Sequence, residues 1–167
     1  MSESPNAELI ATFYQAFDDH DADTMVACYA PDVVFTDPAF GELRGEQAAD
    51  MWRMLIASGT DLRVKASGIR AAATVGSCHW DADYTFSLTR RKVHNSVDAT
   101  FEFRDGLIVR HTDDFDFRTW AGQALTPVGG LLAWTPFVQI ALRVLAKRNL
   151  AAYHAKMTAR RSAGGLK

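Results

Sequence analysis

From residue 80 onward the apolar residues fall on every second position, and this alternation limits what the chain can become. Trp80, Ala82, Tyr84, Phe86 and Leu88 make one run, Val97, Ala99, Phe101 and Phe103 a second, and Leu107 with Val109 leads into His111, Asp113 and Phe115. Successive side chains of a strand point to opposite faces, so a period of two describes a sheet with one buried face and one wet face. Arg90-Arg91-Lys92 separates the first two runs and Arg104-Asp105-Gly106 the next two. Both links are short enough for hairpins, and Asp-Gly is a strong turn signal. The last three strands therefore form an antiparallel meander, with Leu62-Val64 as part of an earlier strand.

The first third has the helical period instead. Asn6 is the expected N-cap of a helix whose Leu9, Ile10, Phe13, Tyr14 and Phe17 share one stripe, ending at Asp18-Asp19-His20-Asp21. A short second helix carries Met25, Val26 and Tyr29, Val33–Asp37 reads as a strand, Phe40–Gly45 as a loop, and Glu46–Ser58 as a helix burying Met51, Trp52, Leu55 and Ile56. Helices followed by a sheet give an α+β class: a cone-shaped, curved antiparallel sheet with the N-terminal helices on its concave face. With 167 residues, 48% of them hydrophobic, the chain forms one well-buried unit. Its expected parts are a cone domain over residues 1–125 and a helical extension over 126–167.

That extension differs in charge from everything before it. The net charge is only −2, yet residues 1–116 hold all 20 acids and 10 bases, while 117–167 hold 8 bases and no acid. Such a tail fits an anionic partner or the acidic part of its own fold; no nucleic-acid motif accompanies it. After a short helix at Arg118–Leu125 and the breaker Pro127-Val128-Gly129-Gly130, Thr135 and Pro136 supply an N-cap and a first helical residue for a long helix. Phe137, Ile140, Ala141, Val144 and Leu145 form its apolar stripe; Arg143, Lys147, Arg148, Lys156, Arg160 and Arg161 make it basic. Three placements stay open: packing on the domain or a dimer mate, a lid in which Leu131-Leu132-Trp134 closes the cone on a Gly129-Gly130 hinge, and contact with anionic lipid. Residues 159–167 read as a frayed end.

Several chemistries are excluded by pattern. There is no GxGxxG or P-loop, so no nucleotide cofactor is expected, and no cofactor of another kind is indicated. Cys28 and Cys78 lack CxxC spacing and a histidine placed to activate them, which makes them reduced core thiols. The N-terminal MSESPNAEL is no signal sequence, and no apolar run reaches the ~18 residues of a membrane span, so a cytoplasmic location is expected. A metal site built on His111, Asp113 and Asp37 would need a second inward histidine, and His79 and His94 have the outward parity. No metal is expected.

The order helix, helix, YAPDVVFTDP, RGEQAADMW and strands ending in FEFRDGLIVRHTDDFD resembles the nuclear transport factor two-like superfamily, most closely its SnoaL-like and ketosteroid-isomerase-like branch. The likeness spans roughly residues 6–120. It implies a cone with an apolar ligand cavity and a homodimer through the outer sheet face, but one such fold hosts isomerases, polyketide cyclases, epoxide hydrolases, dehydratases and modules that only bind. In the ketosteroid isomerases the aspartate of the Asp-Pro segment is the general base, and Asp37 matches it. Phe13 and Ala99 stand where that enzyme has its two oxyanion donors; Tyr14 and Asp98 are one residue away, on a rotated helix face and an opposite strand face. Losing two preorganised donors, each worth about 3 kcal/mol in the transition state, excludes steroid isomerisation. The Asp-Arg-Asp set of an epoxide hydrolase is absent too, because no arginine has the inward parity of the middle strands.

Polyketide-cyclase-like and epoxide-hydrolase-like relatives keep an acid on the last strand, and Asp113 matches it. His111, Asp113 and Phe115 share one parity, so an inward Phe115 brings the other two into the cone. The expected catalytic residues are Asp113, His111 and Asp37. Phe13, Tyr14, Tyr29, Trp52, Trp80, Tyr84, Phe86, Phe101 and Phe115 are the expected ligand-binding wall. His79, Asp81 and Asp83, joined across the hairpin by His94, Ser96 and Asp98, make the outer face polar. The expectation is a cofactor-independent acid/base enzyme acting on a hydrophobic oxygenated small molecule, with a binding module for a lipid-like or aromatic ligand as the alternative.

Overall fold

The computed structural model describes residues 4–125 and 135–164. Helix α1, Pro5–Asp18, starts two residues earlier than Asn6 suggests: Ser4 is its N-cap, its hydroxyl accepting from the Ala7 N–H at 3.2 Å, with Pro5 in the first turn. Asn6 instead donates to the carbonyls of Ala72 and Ala73, tying the helix to the sheet. Helix α2, Ala22–Ala27, is capped by Asp21. Strand β1, Tyr29–Asp37, is longer than its apolar core, and the presumed loop after it contains strand β2, Gly41–Arg44. Helix α3 occupies Glu46–Ser58, as its stripe requires. Then come β3 (Arg63–Ala71), β4 (Val75–Thr85), β5 (Lys92–Arg104), β6 (Leu107–Asp114), α4 (Phe117–Ala124) and α5 (Pro136–Gly164). The end of α5 is helical to Gly164 rather than frayed from 159.

The strands form one curved six-stranded sheet in the order β2-β1-β6-β5-β4-β3. Strands β3 to β6 are an antiparallel meander, but β1 lies parallel to β6, with Phe35 beside His111. The sheet is therefore mixed at one seam. That seam sets the site, because it places the last strand in the interior of the sheet.

Helix α1 packs Ile10, Phe13, Tyr14 and Phe17 onto the sheet, and α3 adds Ala48, Met51 and Trp52 to the same core. Each large apolar side chain fully buried there contributes about 1.5–3 kcal/mol before conformational entropy is subtracted. Gly45 makes the turn from β2 into α3 with φ of 48°, and a Cβ there would meet the Pro31 carbonyl oxygen at 2.8 Å. Only glycine fits both demands. The expected hinge and lid segment, Pro127 to Trp134, lies outside the described residues. No helix among the described residues is long and apolar enough to cross a membrane.

Candidate functional site

Strand β6 buries Ile108 rather than the expected Leu107 and Val109, and past a register shift against β5 the opposite parity turns inward, so that His111 and Asp113 are both buried. Across the sheet Asp113 faces Ala99, whose small side chain leaves room for the carboxyl group, and His111 lies between Phe35 and Phe101 in register. Rings of Phe13, Phe35, Phe101 and Trp52 enclose the imidazole, with centroids 4.5–6.0 Å away. A polar ring in such a setting must be fully hydrogen-bonded.

It is. The Trp52 indole N–H donates to Tyr29 Oη at 2.9 Å, and Tyr29 Oη lies 2.7 Å from His111 Nδ1. Because Tyr29 already accepts from Trp52, hydrogen-bond accounting directs its own O–H to Nδ1, which leaves the imidazole proton on Nε2. Nε2 then donates to Asp113 Oδ1 at 2.9 Å, while Tyr14 Oη stands 3.4 Å from Nε2. Burial, reinforced by the Asp113 charge, holds the Tyr14 and Tyr29 phenols well above their usual values, so both keep their protons. A directed relay runs Trp52, Tyr29, His111, Asp113.

The carboxyl group at its end is only half engaged. Trp80 Nε1 donates to the same Oδ1 at 3.2 Å, whereas Oδ2 accepts no hydrogen bond among the described residues. Asp113 lines a cavity of about 460 Å³ between the sheet, α3, α4 and α5. Its apolar wall includes Phe17, Phe35, Met51, Trp52, Trp80 and Phe115.

Asp37 lines the same cavity from the end of β1. Its Oδ1 accepts from the backbone N–H of Ala39 at 3.1 Å and of Phe40 at 2.5 Å, so it is also the cap of its own turn. Burial pushes its carboxyl up to about 6, the Phe40 N–H works against that, and the charge of Asp113 adds to the rise. Two carboxyl groups with different surroundings thus share one apolar space.

Of the sequence-predicted residues, Asp37, Asp113, Trp52, Trp80, Tyr84, Phe86 and Phe115 line the cavity. Phe13, Tyr14, Tyr29, Phe101 and His111 do not; they are buried behind its wall and hold the relay in place. Tyr14 is a correction of a second kind: the helical step past Phe13 does not turn it away, since both side chains are buried on the same broad stripe. Asp98 does face outward. Asn95 and Trp120 are among the lining residues that the sequence reading did not single out. Asn95 has the inward parity of Val93 and Val97, which would have found it, and its carboxamide has no hydrogen-bond partner among the described residues. Trp120 of α4 donates to Tyr84 Oη at 2.7 Å, leaving the Tyr84 O–H proton free to donate into the cavity.

The last part of the wall is α5. Leu142, Leu145, Ala146 and Asn149 line the cavity, and the helix is pinned on both sides of them. Arg143 Nε donates to the Pro38 carbonyl at 2.8 Å and its guanidinium lies 4.8 Å above the Phe117 ring. Beyond the buried Leu150, His154 and Arg161 reach Asp50 of α3, at 2.6 Å and 2.5 Å. Asp50 has no solvent exposure. Burial pushes its carboxyl up, but the hydrogen bonds from Arg161, His154 and Arg53 outweigh this and hold it below the usual carboxylate range. Of the expected stripe, Phe137, Ile140, Ala141 and Val144 lie outward or partly exposed, while Leu145 lines the cavity. The helix packs on the domain through Leu142, Ala146 and Leu150, a second stripe on the opposite side.

On the outer sheet face the register pairs His79 with Asp98, Asp81 with Ser96 and Asp83 with His94. His79 Nδ1 and Asp98 are 2.8 Å apart, as are His94 Nδ1 and Asp83, and Ser96 bridges His79 to Asp81. A second, more open hollow of about 390 Å³ beside this ladder holds the Asp61–Lys92 ion pair. No group of three or more metal-ligating side chains suited to a metal ion occurs among the described residues.

A family model described as SnoaL-like domain matches residues 10–111. No curated protein matches the sequence. Among solved structures, IdmH of Streptomyces antibioticus, a suspected polyketide cyclase, shares 23% identity at a TM-score of 0.61 over 72% of this chain and 98% of its own. An epoxide hydrolase of M. tuberculosis shares 23% at 0.62 over 77% and 93%, and TerC, co-crystallized with polyporic acid, 21% at 0.57 over 68% and 92%. At such identities these likenesses establish the fold alone. They also leave about a quarter or more of this chain without a counterpart.

Proposed function

The chain belongs to the SnoaL-like domain family, and on that premise we propose that it is a cofactor-independent cytoplasmic enzyme performing acid/base chemistry on a hydrophobic, oxygenated small molecule. The observation that carries the reading is Asp113: one carboxylate oxygen held by His111 and Trp80, the other without a partner among the described residues and at an apolar cavity. A carboxylate fixed in this way is placed to take a proton from a substrate carbon or water and to return it. The relay behind it keeps the imidazole tautomer that donates to Asp113, so His111 is a positioning residue rather than one that meets the substrate. Asp37, with its carboxyl at about 6, exchanges protons readily near neutrality and serves as the second acid or base.

The two donors of a ketosteroid isomerase are replaced here by Phe13 and Ala99, so another group must hold the ligand oxygen. The O–H of Tyr84 and the carboxamide of Asn95, which has no partner among the described residues, are two such donors. Neither names the reaction, which lies among isomerisation, aldol-type cyclisation, dehydration and epoxide hydration. The outer sheet face, with its paired histidines, is the proposed homodimer contact, and a clean monomer in sedimentation at micromolar concentration would remove it.

The test is a screen of epoxides, cyclic ketones and polyketide-like compounds followed by Asp113→Asn. General acid/base catalysis contributes about 10²–10⁴-fold, and the variant should lose that much turnover while retaining ligand affinity. Wild-type rates in both Asp113→Asn and Asp37→Asn would refute the assignment. The missing oxyanion donors favour one alternative, a binding module; a ligand that co-purifies with the protein and is never turned over would establish it.

A further inference from the structure

The inner face of α5 walls the cavity, and its outer face is largely uncovered, with the Lys147 ammonium at its edge beside Gly41 of β2. Phe137 is 82% exposed, Ile140 56% and Val144 49%. Residues 137, 140, 144, 147, 148 and 151 fall on one side of a helix with 3.6 residues per turn. The apolar turns are thus followed directly by Lys147 and Arg148. Helix α5 contains six bases and no acid, and among the described residues Lys147, Arg148, Lys156 and Arg160 lie in no ion pair. Upstream, no charged residue occurs between Arg118 and Arg143. An uncharged stretch that runs into a basic one, with large apolar side chains left in water, is the composition of a helix lying in a bilayer interface.

We propose that the outer face of α5 docks on an anionic phospholipid surface, with Phe137, Ile140 and Val144 entering the acyl boundary and Lys147 and Arg148 among the headgroups. The charge pattern selects this occupant over a second copy of the chain. A copy would bring the same acid-free helix, so two unpaired basic faces would meet, whereas anionic headgroups neutralise them. Docking by this face also sets the cavity directly beneath the membrane surface, since Leu142, Leu145 and Ala146 of the same helix line it. A hydrophobic ligand then passes between bilayer and cavity without crossing much water. The docking itself is independent of the chemistry assigned to Asp113.

The full chain is sedimented with vesicles of phosphatidylcholine alone and of equal parts phosphatidylcholine and phosphatidylglycerol, at low and at raised salt. Binding should be confined to the anionic vesicles and weaken as salt screens the charges. Each basic residue near such a surface contributes roughly fivefold in affinity, so Lys147→Gln with Arg148→Gln should weaken binding roughly 25-fold. Phe137→Ser with Ile140→Ser should abolish it; these side chains are exposed, and circular dichroism checks that the fold is kept. Absence of binding to anionic vesicles at low salt overturns the proposal, as does equal binding to neutral ones. A dimer that Phe137→Ser with Ile140→Ser converts to monomer, without vesicle binding, overturns it in favour of a second copy. Asp113→Asn should bind vesicles like the wild type, so failure of the catalytic reading and failure of this one are separately visible.

Discussion

The two faces of the sheet carry nearly the same pair of side chains at nearly the same distance. Inside, His111 and Asp113 meet at 2.9 Å with side-chain exposures of 0% and 3%; outside, His79 and Asp98 meet at 2.8 Å with 40% and 81%. Geometry does not separate them. Solvent does, because water competes for every donor and acceptor of the outer pair and screens its charge, while the inner pair has no substitute for the bonds it makes. The inner pair also belongs to a relay with Tyr29 and Trp52, so disturbing one member leaves others unpaired.

The most severe way to break this contrast is to delete the imidazole on each face. His111→Ala removes a ring enclosed by four others and orphans both Tyr29 Oη and one bond of Asp113, for a loss of about 3–5 kcal/mol. His79→Ala should cost under about 0.5 kcal/mol, as surface changes do. Denaturant unfolding of the two variants measures the difference, and equal costs would dissolve the contrast.

Asp37 sharpens it from an intermediate position. A carboxyl raised to about 6 contributes stability that is complete below its ordinary value near 4 and is lost as pH rises through 6. Asp37→Asn keeps an acceptor for the Ala39 and Phe40 N–H groups without the charge. It should therefore stabilise the protein by on the order of 2 kcal/mol at about pH 8, with the gain gone at about pH 4. Thermal unfolding across that range checks both the size and the sign. A variant less stable than wild type at high pH would show the turn, not the burial, to dominate.

The smallest effect is on the outer face. The hydrogen bond to Asp98, with Asp81 nearby, raises the His79 imidazole above its ordinary value. A raised histidine contributes below its unfolded value and stops contributing as pH rises through the folded one. Its NMR titration midpoint should lie above that of a free histidine and fall back in Asp98→Asn, with no change at the cavity.

The contrast itself was legible in the sequence, because a strand's parity is fixed by its backbone: the inward Trp80, Val97 and Phe101 forced His79, Ser96 and Asp98 outward. Helix α3 was legible for a similar reason, a strong stripe between two glycines. Strand β2 was not, since its burial rests on Leu43 alone. The parallel seam between β1 and β6 was not legible either, because it joins residues more than seventy positions apart with no turn to announce it. Asn6 attracted the capping role that Ser4 holds, although Pro5 as the first helical residue was the better signal. The site was half visible. Asp37 and Asp113 were found by resemblance and parity, but which aromatic rings meet the cavity and which stand behind it depends on the depth of each element, and a repeat pattern contains no depth.

Strand β6 has a neighbour on either side, β1 in parallel and β5 antiparallel, whereas Asp37 ends a strand next to the edge strand β2. Amide hydrogens of an interior strand exchange with solvent only through openings that break both ladders, while a strand end beside an edge opens with little of the domain disturbed. The two carboxyl groups consequently live on different clocks. Exchange of the Asp113 amide should await an opening of the domain, and exchange in the Asp37 turn should be faster. A cavity built this way has one carboxyl group on an interior strand and one at a strand end, so a ligand that shifts the Asp37 turn need not displace Asp113.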